Sequence, residues 1–201
     1  EALLERVKMG ISENTTTPYA TDIEENNQND KAIEEIIEEI DQRAEDMSSD
    51  RIRIVDYDDR ITHANFREFE RFQMFENYVQ TLIEKNITVI FYCDPYHPIA
   101  YSKAQDEKEK EPTMLSLMDI EVYFKNFAQA NGILIIGSYN PHVYNLTSID
   151  FFNGDHTVSQ TFAKIISAHS HELYDLLYTD IYSTYEEYAS ALAESQAELL
   201  G

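Results

Sequence analysis

One cysteine, five glycines and no long apolar run set the first limits on this 201-residue chain. With Cys93 alone, an intrachain disulfide is impossible and a cysteine-rich zinc site is excluded. Cys93 closes an apolar run, which marks it as a buried, inert thiol. The few glycines form no glycine-rich loop to cradle phosphates, so no nucleotide site and no cofactor are expected. No stretch approaches the roughly 18 apolar residues of a membrane-crossing helix, so no span is expected. Basic residues are scarce as well: 15 Lys and Arg stand against 38 Asp and Glu, for a net charge of -23. Nothing supplies the basic cluster that displaces phosphate counterions, which argues against nucleic acid and against an anionic membrane surface. The acidity is a solubility feature and not in itself an enzyme signature. No signal peptide is visible and residue 1 is not Met, so the start reads as processed or truncated and the compartment stays open.

What the chain does have is a hydrophobic content of 43 %, enough for a real core. Its length suits one α/β domain with an appendage. The informative stretch runs from Ile87 to His156. An apolar run, Ile87 to Cys93, stops at Asp94-Pro95-Tyr96-His97-Pro98. A helix-period stretch follows, with Met114, Leu117, Ile120, Phe124 and Phe127 among its apolar positions, and Gly132 as its C-terminal cap. A second apolar run, Gly132 to Ile136, stops at Gly137-Ser138-Tyr139-Asn140-Pro141. A third polar cluster, Asp150-Phe151-Phe152-Asn153-Gly154-Asp155-His156, opens onto another helix. Continuous apolar strands around a helix predict a buried parallel βαβ unit. Parallel strands place their C-terminal ends on one edge, where open α/β sheets bind ligands. The polar clusters are therefore expected to share one rim.

Around this unit the pattern predicts a short helix over 1–10, a loop over 11–29, and a helix capped by Asp30 with Ile33, Ile36, Ile37, Ile40, Ala44 and Met47 on one face. Arg51 to Asp56 alternates like a half-buried strand. Residues 64–85 read as a helix with a Phe stripe, 103–112 as a charged surface excursion, and the stretch from about Tyr182 as a final helix. The expected fold is a three-layer α/β domain with a mainly parallel, doubly wound sheet. Its parts are an acidic helical region over 1–50, the α/β domain over 51–181 and a C-terminal helix over 182–201.

Several rim residues carry candidate chemistry. His156 follows an acidic loop and suits a general base, oriented by a carboxylate such as Asp155 or Asp150. The competing reading is an exposed histidine at a helix start. Ser138 ends a strand, but lacks the G-x-S-x-G elbow of a nucleophile and also suits a turn serine bonded to the backbone. His97, fixed between two prolines beside Tyr96, contacts substrate or caps a turn. Tyr139 and Asn140 can donate to an acyl oxygen or a sugar hydroxyl, although Asn140-Pro141 is equally good turn chemistry. Asp94, His97, His142, Asp155 and His156 match no local metal motif, so no metal is expected.

Taken together, the three clusters resemble bacterial SGNH/GDSL-type hydrolase-like proteins, of the branch linked to modification of cell-surface polysaccharide and lipoteichoic acid. The resemblance covers roughly residues 50–170. It implies a flavodoxin-like, SGNH-like sheet carrying a Ser-His-Asp constellation, with the histidine in a late Asp-x-x-His motif. His156 matches that histidine. The aspartate position holds Asn153, and an amide cannot offset an imidazolium as a carboxylate does. The family's serine lies in a turn after the first strand, and no such block precedes the sheet here, so the chain looks like the C-terminal portion. The resemblance implies an acyl esterase or O-acyltransferase domain for a surface glycan or acyl ester, inactive alone without its serine. The alternative is a non-catalytic binding or assembly module on the same fold. A homo-oligomer or a partner chain would cover the sheet edge that truncation exposes. The resemblance points to a bacterial cell envelope; the sequence itself allows the cytoplasm equally.

Overall fold

The computed structural model describes residues 33–46, 61–62 and 65–200. The predicted helix over 1–10, loop over 11–29, cap at Asp30, Met47 and strand Arg51 to Asp56 lie outside the described residues. The described part is mostly helical around two parallel strands. In chain order the main elements are α1 (Ile33–Glu45), α2 (Glu70–Glu84), β1 (Ile90–Cys93), α3 (Pro98–Lys110), α4 (Leu117–Asn131), β2 (Leu134–Gly137), α5 (Ser159–Ala168), α6 (Ser170–Leu173) and α7 (Tyr185–Leu200).

β1 pairs with β2 in parallel, in the register Ile90 with Leu134, Phe91 with Ile135, Tyr92 with Ile136 and Cys93 with Gly137. This is the expected βαβ unit, and it makes the domain α/β. Among the described residues the sheet has these two strands, and no three-layer doubly wound sheet is seen. Side chains alternate across the pair, as strand geometry requires. Phe91 and Ile135 pack with Phe75, Val79 and Ile83 of α2 and Phe127 and Ala128 of α4. Tyr92 points the other way and meets Phe162 of α5 edge to face, with ring centroids 5.3 Å apart. Helices therefore lie on both faces of the strand pair.

The crossover is built differently from the sequence expectation. Residues 103–112 were expected to be a surface excursion, yet most of that stretch belongs to helix α3. Pro98 opens α3 at a position that needs no N–H donor, and Nδ1 of His97 accepts from the Ile99 N–H at 3.2 Å. Ala100, Tyr101 and Ala104 give it a narrow buried face that the dense charge between them obscures. α4 begins with a capping box, in which Ser116 and Asp119 satisfy each other's backbone donors, and ends at Gly132 in the left-handed conformation.

Two other boundaries shift. The helix predicted over 64–85 is interrupted at Phe69, whose extended backbone separates a 3-10 turn (Phe66–Glu68) from α2. The first strand begins at Ile90, and Ile87 is 48 % exposed. α1 buries Ile36, Ile40 and Ala44 as its periodicity predicts. It covers Tyr144, Leu146 and Phe151, on the underside of the segment that follows β2, and Ile165 of α5.

Candidate active-site rim

The strand ends carry the loops onto one edge, and backbone hydrogen bonds tie them together. The Tyr96 N–H donates to the Tyr139 carbonyl at 3.1 Å, joining the loops after β1 and β2. The His97 N–H donates to the Gly154 carbonyl at 3.0 Å, joining the first loop to the cluster before α5. Tyr96 and Tyr139 also meet edge to face at 5.7 Å. The third cluster is closed by a bridge between Phe151 and Thr157 and by the Phe152 N–H donating to the His156 carbonyl at 2.9 Å.

The candidate side chains then part company. His97 turns inward and is fully buried against Phe151, 5.1 Å away edge to face. Its Nε2 lies 3.2 Å from Oδ1 of Asp41 on α1, but off the line of a good hydrogen bond. Burial lowers the His97 pKa below its ordinary value, against the opposing pull of Asp41. Nδ1 is an acceptor at the head of α3, so the neutral ring carries its proton on Nε2.

Ser138 is 2 % exposed and also turns in. Its hydroxyl donates to Oε1 of Glu121 at 2.7 Å and accepts from the Asn140 N–H at 3.1 Å. Glu121, itself buried, also accepts from the Tyr139 N–H at 3.1 Å and pairs with Lys125 at 2.6 Å. One carboxylate on α4 thus holds the loop after β2. Asn140 accepts from the His142 N–H at 3.0 Å as an ordinary turn residue. Asp150 is buried and accepts from the Thr147 N–H at 2.9 Å and the Thr161 hydroxyl at 3.3 Å.

His156 faces solvent, with its side chain 65 % exposed. Its Nδ1 lies 2.9 Å from Oδ1 of Asp155 and 3.0 Å from Oδ1 of Asn153. Both neighbours are acceptors, which places the proton on Nδ1 and leaves the Nε2 lone pair outward. Of the two carboxylates considered from sequence, Asp155 lies beside the ring, while Asp150 is bonded to Thr147 and Thr161. Asn153 also accepts the N–H groups of Asp155 and His156, each at 3.0 Å, so it shapes the turn that carries the imidazole.

Sequence reasoning missed two contributors, Glu121 and Gln160, and weighed a third, Asp94, only as a metal ligand. Asp94 accepts hydroxyls from Tyr92 and Thr157, each at 3.0 Å. Burial pushes its carboxyl above the ordinary range; the two hydroxyls and nearby His156 pull it down, and Asp155 adds to the rise. Glu121 lies on a crossover helix read by its apolar positions, where Asp119 is the other acid. Gln160, in the first turn of α5, is 8 % exposed, and neither atom of its amide has a hydrogen-bond partner. The strand-end position of Asp94 was the available signal; nothing local marked the other two. Among the described residues no three His, Cys, Asp or Glu side chains are placed to hold a metal ion. No described helix is long and apolar enough to cross a membrane.

No protein-family model, curated protein or solved structure matches this chain.

Proposed function

We propose that this rim is the ligand-facing edge of an SGNH-like domain whose full sheet is mainly parallel, doubly wound and three-layered. In this reading the chain binds a glycan or acyl-ester ligand without cleaving it on its own. The observation that carries the proposal is the engagement of Ser138. Its hydroxyl is buried and bonded to Glu121, which leaves it unable to attack an ester at the rim. Polar groups suited to a hydroxyl-rich ligand remain at the same edge: Nε2 of His156 and the Asp94–Tyr92–Thr157 cluster.

The Asp155–His156 pair favours a second reading. At 2.9 Å it has the geometry of a base and its orienter. With a serine supplied from a partner chain or a second copy, the rim would be an acyl esterase or O-acyltransferase site. Two measurements separate the readings. Titration with an O-acetylated oligosaccharide, followed by NMR, is expected to shift amide signals at Tyr96, His97 and Gly154 to Thr157. Hydrolysis of 4-nitrophenyl acetate is expected to match free imidazole in rate. Turnover well above that level, lost in His156→Ala and retained in Ser138→Ala, would overturn the binding reading and support the enzyme.

A further inference from the structure

A second site shares no lining residue with the rim loops, although Tyr139 of the rim packs in the same cluster as Phe66 and Leu115 of its wall. The 3-10 turn before α2, α2 itself and α4 enclose a half-open cavity of about 490 Å³. That volume falls within the range of small-molecule sites, roughly 300–1,000 Å³. Its walls are mainly apolar and aromatic, with Phe66, Tyr123 and Phe127 contributing rings. Phe66 and Tyr123 are locked edge to face at 5.6 Å, so the wall is preformed. Val122 faces the cavity and is 56 % exposed, an apolar side chain without cover.

The charged groups at this cavity differ in what they already hold. Asp119 is paired with Lys108 at 2.5 Å and bonded by Ser116. Glu76 accepts the Tyr123 hydroxyl at 2.8 Å. Arg67 is the cation lining the cavity, and no carboxylate among the described residues pairs with it. Its guanidinium lies 5.5 Å from the Phe66 ring centroid, over the aromatic wall. A guanidinium is a planar fork that matches a carboxylate in two parallel hydrogen bonds.

We propose that this cavity binds a small monocarboxylate with a flat apolar body, the carboxylate on Arg67 and the body against Phe66, Tyr123 and Phe127. Glu76 gives the site its second selectivity, since a ligand with two carboxylates would meet like charge there. The net charge of the protein opposes the approach of an anion, but that long-range term is screened beyond ~8 Å at 0.15 M salt.

The test is calorimetric titration of the full chain with 1-naphthylacetate at 0.15 M salt. Saturable binding is expected. Arg67→Gln is expected to weaken it about 10-fold or more, as loss of a charged hydrogen-bond pair does. The uncharged 1-naphthylacetamide should bind the native chain no better than the acid binds that variant. Val122→Trp, which fills the cavity from an exposed position, should abolish binding while circular dichroism stays native. No saturable binding of the acid, equal binding of acid and amide, or an unaffected Arg67→Gln variant would each overturn the proposal. None of these outcomes bears on the rim, because ester turnover and the signals of Gly154 to Thr157 are read separately.

Discussion

Gly137 offers the sharpest stability test, because a second glycine supplies its control. Both Gly137 and Gly132 adopt positive φ, +79° and +65°. A side chain in that region costs roughly 1–2 kcal/mol for an L-residue. The two positions differ in the space around them. A Cβ on Gly132 would meet nothing within 4 Å, whereas one on Gly137 would sit 2.2 Å from the Cys93 carbonyl oxygen. That oxygen belongs to the last paired residue of β1, so the neighbour is strand backbone and cannot swing aside. Gly132→Ala should therefore lose only the conformational term, about 1 kcal/mol after the reduced freedom of the unfolded chain is counted. Gly137→Ala should lose that and a further 1–3 kcal/mol or so for forcing the strand ends apart.

For a chain of this size, each kcal/mol lowers Tm by about 2–4 °C. Thermal melts followed by circular dichroism should place Gly137→Ala roughly 2–12 °C below Gly132→Ala. Equal melting temperatures would refute the reasoning, since they would mean that Cys93 and Gly137 are not in close register. The variant should also loosen the rim, because both strand ends lead directly into its loops.

The other expectations concern the polar side chains. His97 is held neutral by burial with its pKa below 6.5, so the unfolded chain binds the extra proton; stability should be level above about pH 6.5 and fall below it. Asp41→Asn should steepen that fall, as read from urea midpoints between pH 5 and 8, because Asp41 favours the charged ring. Ser138→Ala leaves Glu121 one donor short and should cost about 1–3 kcal/mol in urea unfolding, with no change in ligand titration. Gln160→Met keeps the side-chain length and removes an unsatisfied buried amide, so it should raise stability by about 1–2 kcal/mol in urea unfolding. Asp94→Asn keeps an acceptor for Tyr92 and Thr157 and removes a charge disfavoured by burial; its stability relative to the native chain should improve as pH rises above about 3.8, because the folded carboxyl gives up its proton less readily than the unfolded one.

The parallel unit was legible because both strands are short apolar runs closed by turn residues, and because the helix between them ends at Gly132. Periodicity also exposed the buried faces of α1 and α4. α3 was hidden by its own composition. Its buried residues are two alanines and a tyrosine among Lys, Glu and Asp, a face too narrow to register as amphipathic. Its start signal was present in Pro98, preceded by a histidine that caps through Nδ1, a residue not usually read as a cap. The break at Phe69 left no trace, because Phe66, Phe69 and Phe72 keep helical spacing across it.

The rim was legible as a place but not in its chemistry, and the reason is physical. A polar residue just beyond a parallel strand can point out over the edge or fold back beneath it. Which way it turns depends on whether a partner waits inside, and that partner is remote in sequence. Ser138 folds back because Glu121 on α4 faces it, and His97 because α1 places Asp41 under the same loop. The acidic outer face of α1 looked uniformly solvated, yet it contributes Asp41 to the loops, and α4, read by its apolar positions, contributes Glu121. His156 stays outward because its orienting groups, Asn153 and Asp155, are close in sequence and lie in the same exposed turn. Asp94 keeps its carboxylate in a setting that raises its pKa, where an asparagine would serve the same two hydroxyls at lower cost. A group that stability alone would replace is the one most worth testing for a role in binding. Asp94→Asn should therefore separate the two demands, gaining stability at neutral pH while losing affinity for the ligand at the rim.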